Sequence, residues 1–173
     1  MPQLVISAIG PDRPGIVGEL TGHLHAASAN ILESRMVNLR GQFAILLLLE
    51  AEAPALASLQ KTLPAIAATL GLAISFAAQQ ARAAATPGVP YRLKTYSMDQ
   101  PGIVHRVTDV LRLHGVNIED LQARQESAAF AGTPLFIMEA HITVPTTVPI
   151  RTLRGELEAA CEQLNCDLDL EPA

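Results

Sequence analysis

A stretch near the start of the 173-residue chain recurs 87 positions later. Asp12-Arg13-Pro14-Gly15-Ile16-Val17 returns as Asp99-Gln100-Pro101-Gly102-Ile103-Val104, and Thr21, Leu24, Asn30 and Ile31 return as Thr108, Leu111, Asn117 and Ile118. From Asp12 to Leu32 that makes nine identities in 21 ungapped positions. Self-similarity at a fixed offset means that one supersecondary unit is used more than once. Any fold for this chain must therefore divide into two related modules. Residues 80–90, rich in alanine and ending Thr86-Pro87-Gly88-Val89-Pro90, have little to bury and read as a linker. The expected domains are residues 1–79 and 91–173.

Both modules read alike. Residues 4–9 are apolar and β-branched, and residues 92–97 alternate; both suggest strands. A Pro-Gly pair follows, and proline suits the first helical turn, where its missing N–H costs nothing. Ile16, Leu20 and Leu24 then recur at i, i+4, i+8, as do Ile103, Val107 and Leu111. That spacing places three apolar side chains on one helical face. Gly115 suits a helix C-terminus, with Ser28 in its place in the first copy. A second strand begins at Asn30 or Asn117. Gly41 marks a turn into the apolar run 43–49, and a longer connection, 127–133, leads into 135–144. Leu56, Leu59, Leu63, Ile66 and Leu70 mark a second helix in which Pro64 predicts a kink or break. Leu153, Leu157, Ala160 and Leu164 mark its counterpart. Residues 72–77 and 167–170 close the modules as strands. The order β-α-β-β-α-β, twice, predicts an α+β chain of two tandem ferredoxin-like units, each with helices on one face of an antiparallel sheet.

Composition narrows the function. The formal net charge is −5, and the 12 basic residues form no run. Nucleic-acid binding concentrates Lys and Arg against phosphates, so direct DNA binding is not expected. The N-terminus lacks the basic flank and long apolar stretch of a signal peptide. The longest apolar run, Phe43–Leu49, is seven residues, against the ~20 needed to span a bilayer. A cytoplasmic protein with no membrane association is expected. Cys161 and Cys166 have no second pair to complete a zinc site and read as core thiols rather than a disulfide. The five histidines (His23, His25, His105, His114, His141) make no metal pattern. No P-loop, G-x-G-x-x-G, G-x-S-x-G or H-E-x-x-H is present, so no cofactor and no catalytic machinery is expected. Glu19, Glu33 and Asp120 read as solvated surface charges.

The repeated turn is the candidate site. Where it opens into a helix, the amides of Gly15 and Ile16, and of Gly102 and Ile103, lack intrahelical acceptors and sit at the positive end of the helix dipole. A carboxylate could bind there, glycine permitting close approach. Asp12 and Asp99 could then hold an ammonium group, making the turn a receptor for a zwitterion. Alternatively, each aspartate caps its helix by accepting those same amides. Asn30 and Asn117, at the start of the second strand, offer a donor and an acceptor to a ligand if strand ends approach one another. Equally, each could be a turn residue bonding its own backbone.

The Asp-x-Pro-Gly-Ile-Val turn, with Asn-Ile some thirteen residues on, resembles the signature of ACT domains, ferredoxin-like modules that bind amino acids and regulate metabolism. Two such modules filling the chain, the opening Leu-Val-Ile-Ser-Ala-Ile-Gly-Pro-Asp-Arg-Pro-Gly-Ile-Val, and Thr62-Leu63-Pro64 are similar to the glycine cleavage system transcriptional repressor family. The resemblance implies an amino-acid-responsive repressor, with glycine as effector, that contacts a LysR-type transcriptional activator rather than DNA. It carries ligand positions over to Asp12, Gly15 and Asn30, and to Asp99, Gly102 and Asn117. Several serine-sensing ACT domains have a ligand-binding histidine where Gly10 and Ser97 stand here, a departure that argues against serine and is compatible with a smaller amino acid. ACT modules commonly pair side by side, so a homodimer is expected. The other reading is a regulatory subunit that modulates an amino-acid metabolic enzyme.

Overall fold

The computed structural model describes residues 1–79, 87–127 and 134–173. The chain divides into two compact units, Met1–Arg82 and Ala83–Ala173. The N-terminal unit runs β1 (Gln3–Pro11), α1 (Ile16–Ala26), β2 (Asn30–Leu39), β3 (Gln42–Glu50), α2 (Ala53–Leu70) and β4 (Ala73–Ala78). The C-terminal unit repeats this as β5 (Gly88–Met98), α3 (Ile103–Leu113), β6 (Asn117–Ser127), β7 (Pro134–Pro145), α4 (Ile150–Glu162) and β8 (Cys166–Pro172). The sheets have strand orders β2-β3-β1-β4 and β6-β7-β5-β8, with every pairing antiparallel. Each unit is a ferredoxin-like βαββαβ fold.

Burial follows the alternation of each strand. Leu4, Ile6 and Ala8 of β1 and Phe43, Ile45, Leu47 and Leu49 of β3 turn toward the helices and are buried. Ile16, Leu20 and Leu24 of α1, with Leu56, Leu59, Leu63 and Ala67 of α2, close that core. The second core is built the same way, from Leu93, Met138, Ala140 and Ile142 under Ile103, Val107, Leu111, Leu153 and Leu157. Strand β2 is exposed along its whole length, an edge strand that the helices do not cover. β2 and its counterpart β6 both open with a register irregularity, between Ile31 and Glu33 and between Ile118 and Asp120. A bulge kept in both copies is a feature of the module.

Three details depart from the sequence expectation. Pro64 does not break α2, which runs unbroken from Ala53 to Leu70. Pro64 and Gln60, whose carbonyl loses its intrahelical donor, both face solvent, while Leu63 and Ala67 hold the helix to the core. Strand β5 begins at Gly88, so residues 88–90 of the expected linker belong to the sheet. A Cβ on Gly88 would lie 2.5 Å from Thr143 Cγ2, so glycine is what lets the strand pass there. Residues 80–86 of that linker, and most of the connection at 127–133, lie outside the described residues. In α4 the buried third position is Cys161 rather than Ala160, and Leu164 falls beyond the helix end.

The first unit joins β2 to β3 through Arg40 (φ 53°) and Gly41 (φ 90°), the two left-handed residues of a tight hairpin turn. At the end of α1, Ser28 also adopts a left-handed conformation (φ 55°), where the second copy has Gly115 (φ 64°). A side chain in that conformation costs roughly 1–2 kcal/mol, offset in part by the unfolded-state freedom that glycine adds. Ser28→Gly is therefore expected to stabilise the N-terminal unit by about 0.5–1 kcal/mol, read as a higher urea midpoint at unchanged slope. Among the described residues no helix is long and apolar enough to cross a membrane.

Candidate ligand-binding site

Both repeated turns enter their helices through a left-handed glycine, Gly15 at φ 88° and Gly102 at φ 101°. Neither helix has a side-chain cap. The aspartates do not cap: each carboxylate turns instead to the far end of the neighbouring hairpin. Asn38 Nδ2 donates to Asp12 Oδ2 at 2.5 Å, and Gln125 Nε2 donates to Asp99 Oδ2. Asn38 and Gln125 are themselves 87 apart, so the amide that seats each aspartate is part of the repeat, a signal legible in the sequence once the offset is known. Asn38 Oδ1 also accepts the Gly41 amide at 2.9 Å, and the Gly41 carbonyl accepts the Asp12 amide at 2.9 Å. The carboxylate is thus fixed beside an uncapped helix N-terminus while leaving the amides to another acceptor.

The two corners differ in how far they are closed. In the N-terminal unit a Cβ on Gly10 would stand 2.4 Å from the Gly71 carbonyl oxygen, so the loop after α2 lies directly on β1. Arg13 spans the mouth, donating to both carboxylate oxygens of Glu19 at 2.6 and 2.8 Å. This pairing holds the Glu19 carboxyl below, and the Arg13 guanidinium above, their ordinary pKa values. The Ile16 amide is taken, at 3.3 Å, by the Arg13 carbonyl. In the C-terminal unit Ser97 replaces Gly10 and Gln100 replaces Arg13. Gln100 Nε2 reaches across to the Leu164 carbonyl, tying the turn to the loop after α4. Among the described residues no backbone carbonyl takes the Ile103 amide. Two hydroxyls on the helix-facing side of β5, Thr95 (0 % exposed) and Ser97 (6 %), are buried without a hydrogen-bond partner. A buried unsatisfied hydroxyl costs about 1–3 kcal/mol, so the second corner holds polar capacity that the fold itself leaves unused. Sequence reading did not single out Thr95, because only burial distinguishes it.

Ser97 lies opposite Cys166 in the β5–β8 pairing. Cys166 and Cys161 are both free and buried. Burial, reinforced by the neighbouring Cys166, pushes the Cys161 thiol up to about 12, which leaves it an inert core group. Among the described residues no group of three or more His, Cys, Asp or Glu is placed to hold a metal ion.

The register separates the asparagines from this corner. Asn30 pairs with Glu50 at one end of β3, whereas Pro11, next to Asp12, pairs with Gln42 at the other. Eight strand steps put them roughly 27 Å apart. Asn117 opposite Thr143 and Met98 opposite Leu135 repeat the separation. The expectation that strand ends bring Asp and Asn together inside one unit is therefore wrong. Both β1 and β2 run antiparallel to the β3 between them, so the start of β2 lies level with the start of β1, not with its end. Asn30 instead lines an open groove of about 410 Å³ with Gly18, Thr21, Gly22 and His25 of α1. Asn117 Nδ2 donates to Glu119 Oε1 at 2.7 Å.

Residues 2–77 match the family model of the ACT domain. Over 162 residues, 94% of this chain and 85% of the relative, the sequence is 28% identical to the glycine cleavage system transcriptional repressor of Escherichia coli (strain K12). A solved structure of an unknown protein from Galdieria sulphuraria is 31% identical and superposes with a TM-score of 0.80 over 99% of this chain and 98% of that one. A second, provisionally described as a glycine cleavage system transcriptional repressor, is 22% identical with a TM-score of 0.72 over 98% and 96%. The doubled βαββαβ order, the doubled Asp-x-Pro-Gly helix start and a likeness that spans nearly the whole chain converge: this is a tandem ACT-domain protein resembling the glycine cleavage system transcriptional repressors.

Proposed function

We propose that this chain is a cytoplasmic, amino-acid-responsive repressor, not an enzyme, with its ligand receptor at the α3 corner of the C-terminal unit. The observation that carries the receptor is the pair of unpartnered hydroxyls, Thr95 and Ser97, behind an uncapped helix start. There the amides of Gly102 and Ile103 take a carboxylate, Asp99 takes the ammonium group, and Ser97 adds a hydroxyl. The N-terminal corner keeps Asp12, Gly15 and Ile16, but Ala8 and Gly10 stand where Thr95 and Ser97 do, the Arg13 carbonyl takes the Ile16 amide, and the Arg13–Glu19 clasp and the Gly10–Gly71 contact close it. Two amides, one carboxylate and one hydroxyl are enough to hold the smallest zwitterion, glycine. The full-length likeness to a glycine cleavage repressor points the same way.

Asn30 and Asn117 contribute from a second copy. If two chains pair edge to edge through antiparallel β2 strands, the start of one β2 meets the end of the other. Asn30 of one copy then stands beside the Asp12 corner of its partner, and pairing through β6 does the same for Asn117 and Asp99. The long exposed edge of β2 supports such a homodimer. The transcriptional output passes by contact to a LysR-type activator. With a net charge of −5 and no basic run, the chain has no footprint for phosphates.

Calorimetric titration with glycine tests the receptor. Glycine has five heavy atoms, and at about −1.5 kcal/mol per atom its Kd can be no tighter than a few micromolar, so the titration must reach millimolar ligand. Saturable binding is expected, lost in Gly102→Val and kept in Gly15→Val. Thr95→Val should stabilise the C-terminal unit by about 1–2 kcal/mol by removing an unpaired buried hydroxyl while weakening glycine binding. Absence of heat with glycine, serine and alanine alike would overturn the sensor. Pull-down of the host's LysR-type regulators tests the output; recovery of a metabolic enzyme instead would replace the transcriptional reading.

A further inference from the structure

The 87-residue offset pairs one more position at the two helix starts, and there the charge is reversed. Glu19 and Arg106 each stand four residues after the left-handed glycine, and their amides donate to the Gly15 and Gly102 carbonyls at the same 2.9 Å. A side chain at this point of the helix can fold back over the turn, and in the N-terminal unit it does so. Glu19 Oε1 comes within 3.5 Å of where a Cβ on Gly15 would stand, and Arg13 holds it there. In the C-terminal unit that space is clear: a Cβ on Gly102 would meet nothing within 4 Å. The clasp has no counterpart, because Gln100 takes the place of Arg13 and is tied to the Leu164 carbonyl. Asp109, the acid one turn further along α3, is taken by Arg112 at 2.8 Å. Arg106 is left exposed and, among the described residues, without a hydrogen bond or ion pair of its side chain. Its position also runs against the helix. An acid in the first turn, as Glu19 is, favours the positive end of the helix dipole, and a cation opposes it. A residue that breaks a local rule with no compensating contact in the fold points to a functional position.

The geometry points to Arg106 as the cation of the receptor: its guanidinium closes over a ligand carboxylate seated on the Gly102 and Ile103 amides. This rests on the receptor proposed above and adds the residue that selects a free carboxylate. The charges at the two corners favour it. In the N-terminal corner Asp12 and Glu19 share one base, Arg13, whose guanidinium is occupied by both oxygens of Glu19. The C-terminal corner has one acid, Asp99, and one base, Arg106, and a zwitterion supplies the complement of each. Asp99, held by Gln125, takes the ammonium group. The planar guanidinium fork matches the two carboxylate oxygens. Ser97, buried and unpartnered, lies on β5 two residues before Asp99, so unused hydrogen bonding and unused charge belong to one corner. A single exchange of acid for base thus turns the same backbone turn from a closed clasp into an open receptor for an anion.

Calorimetric titration of the full chain with glycine to millimolar concentration, at low and at high salt, tests this. Arg106→Gln is expected to weaken glycine binding about tenfold and to flatten its salt dependence, because screening then has less charge to act on. Arg106→Lys keeps the charge without the fork and should recover part of the loss. Lys61→Gln removes the same charge from an exposed site on α2 of the other unit and should leave affinity and salt dependence as they are. The urea midpoint of Arg106→Gln should be unchanged or raised, since the arginine has no partner in the fold and opposes the dipole. If Arg106→Gln binds glycine as the wild type does, with the same salt dependence, the arginine is not in the receptor, while the receptor itself stands. The assignment fails equally if Lys61→Gln weakens binding as much, which would make the effect one of net charge. It fails too if Arg106→Gln lowers the urea midpoint and Arg106→Lys restores no binding. A wild type that gives no saturable heat with glycine, serine or alanine removes the receptor and this residue with it.

Discussion

Leu20→Ala is expected to cost the N-terminal unit about 2–5 kcal/mol and to leave the C-terminal unit's stability unchanged. Leu20 is fully buried at the centre of one core, and the two buried clusters have no residue in common. Truncation removes apolar contact and opens a cavity between α1 and the sheet, which rigid neighbouring strands cannot collapse to fill. The chain supplies its own reporter for this result. It has no tryptophan, and both tyrosines, Tyr91 and Tyr96, are on β5. Tyrosine fluorescence therefore follows the C-terminal unit, while far-ultraviolet dichroism follows both. In Leu20→Ala the dichroism transition should begin at lower urea, with the tyrosine transition in place. Coincident movement of the two would mean that the units unfold as one cooperative body.

Gly10→Ser should cost about 1–3 kcal/mol, although serine is what the second copy carries at that position. The added Cβ would meet a backbone carbonyl oxygen at 2.4 Å and a Leu72 methyl at 2.9 Å. A carbonyl fixed by the end of α2 cannot swing aside as a flexible side chain would, so the loop after the helix must move. The reciprocal Ser97→Gly should be far milder, because it removes a hydroxyl that has no partner and offsets the added backbone freedom. Urea midpoints of the two variants give the comparison. Equal losses would mean that the two corners are packed alike.

The fold was legible because its information is periodic. The i, i+4, i+8 spacing of Ile16, Leu20 and Leu24 marked the buried stripe of α1, and the 87-residue offset doubled every inference. What escaped was whatever depends on pairing across the sheet. Nothing local says that β3 inserts between β1 and β2, yet that insertion sends Asn30 to the opposite end of the sheet from Asp12. The sequence pattern raised both a cap and a ligand partner for Asp12 and Asp99. It took the position of Asn38 and Gln125 to turn their carboxylates away from the helix amides. Pro64 does not produce a break, one of the two outcomes expected of it, for a related reason. The penalty for a proline in a helix depends on whether the orphaned carbonyl faces water, and helical phase relative to the core decides that.

Strand order also determines when each unit can close during synthesis. β1 leaves the ribosome before the strands it pairs with, and it lies inside the sheet, flanked by β3 and β4. Its second edge stays unpaired until residue 78 has emerged, a delay on the order of ten seconds at ordinary translation rates. Through that interval the apolar Leu-Val-Ile segment at positions 4–6 is open on one side. The second module, with the same strand order, is made immediately afterwards and presents a homologous β5 that could be captured by mistake. The charges on β5, Arg92 and Lys94, face the acidic β8 residues Glu171 and Asp169 across the sheet, whereas Val5 and Ser7, at the equivalent positions of β1, meet Ala77 and Ser75 of β4. The two central strands thus meet chemically different partners across their sheets as each unit closes.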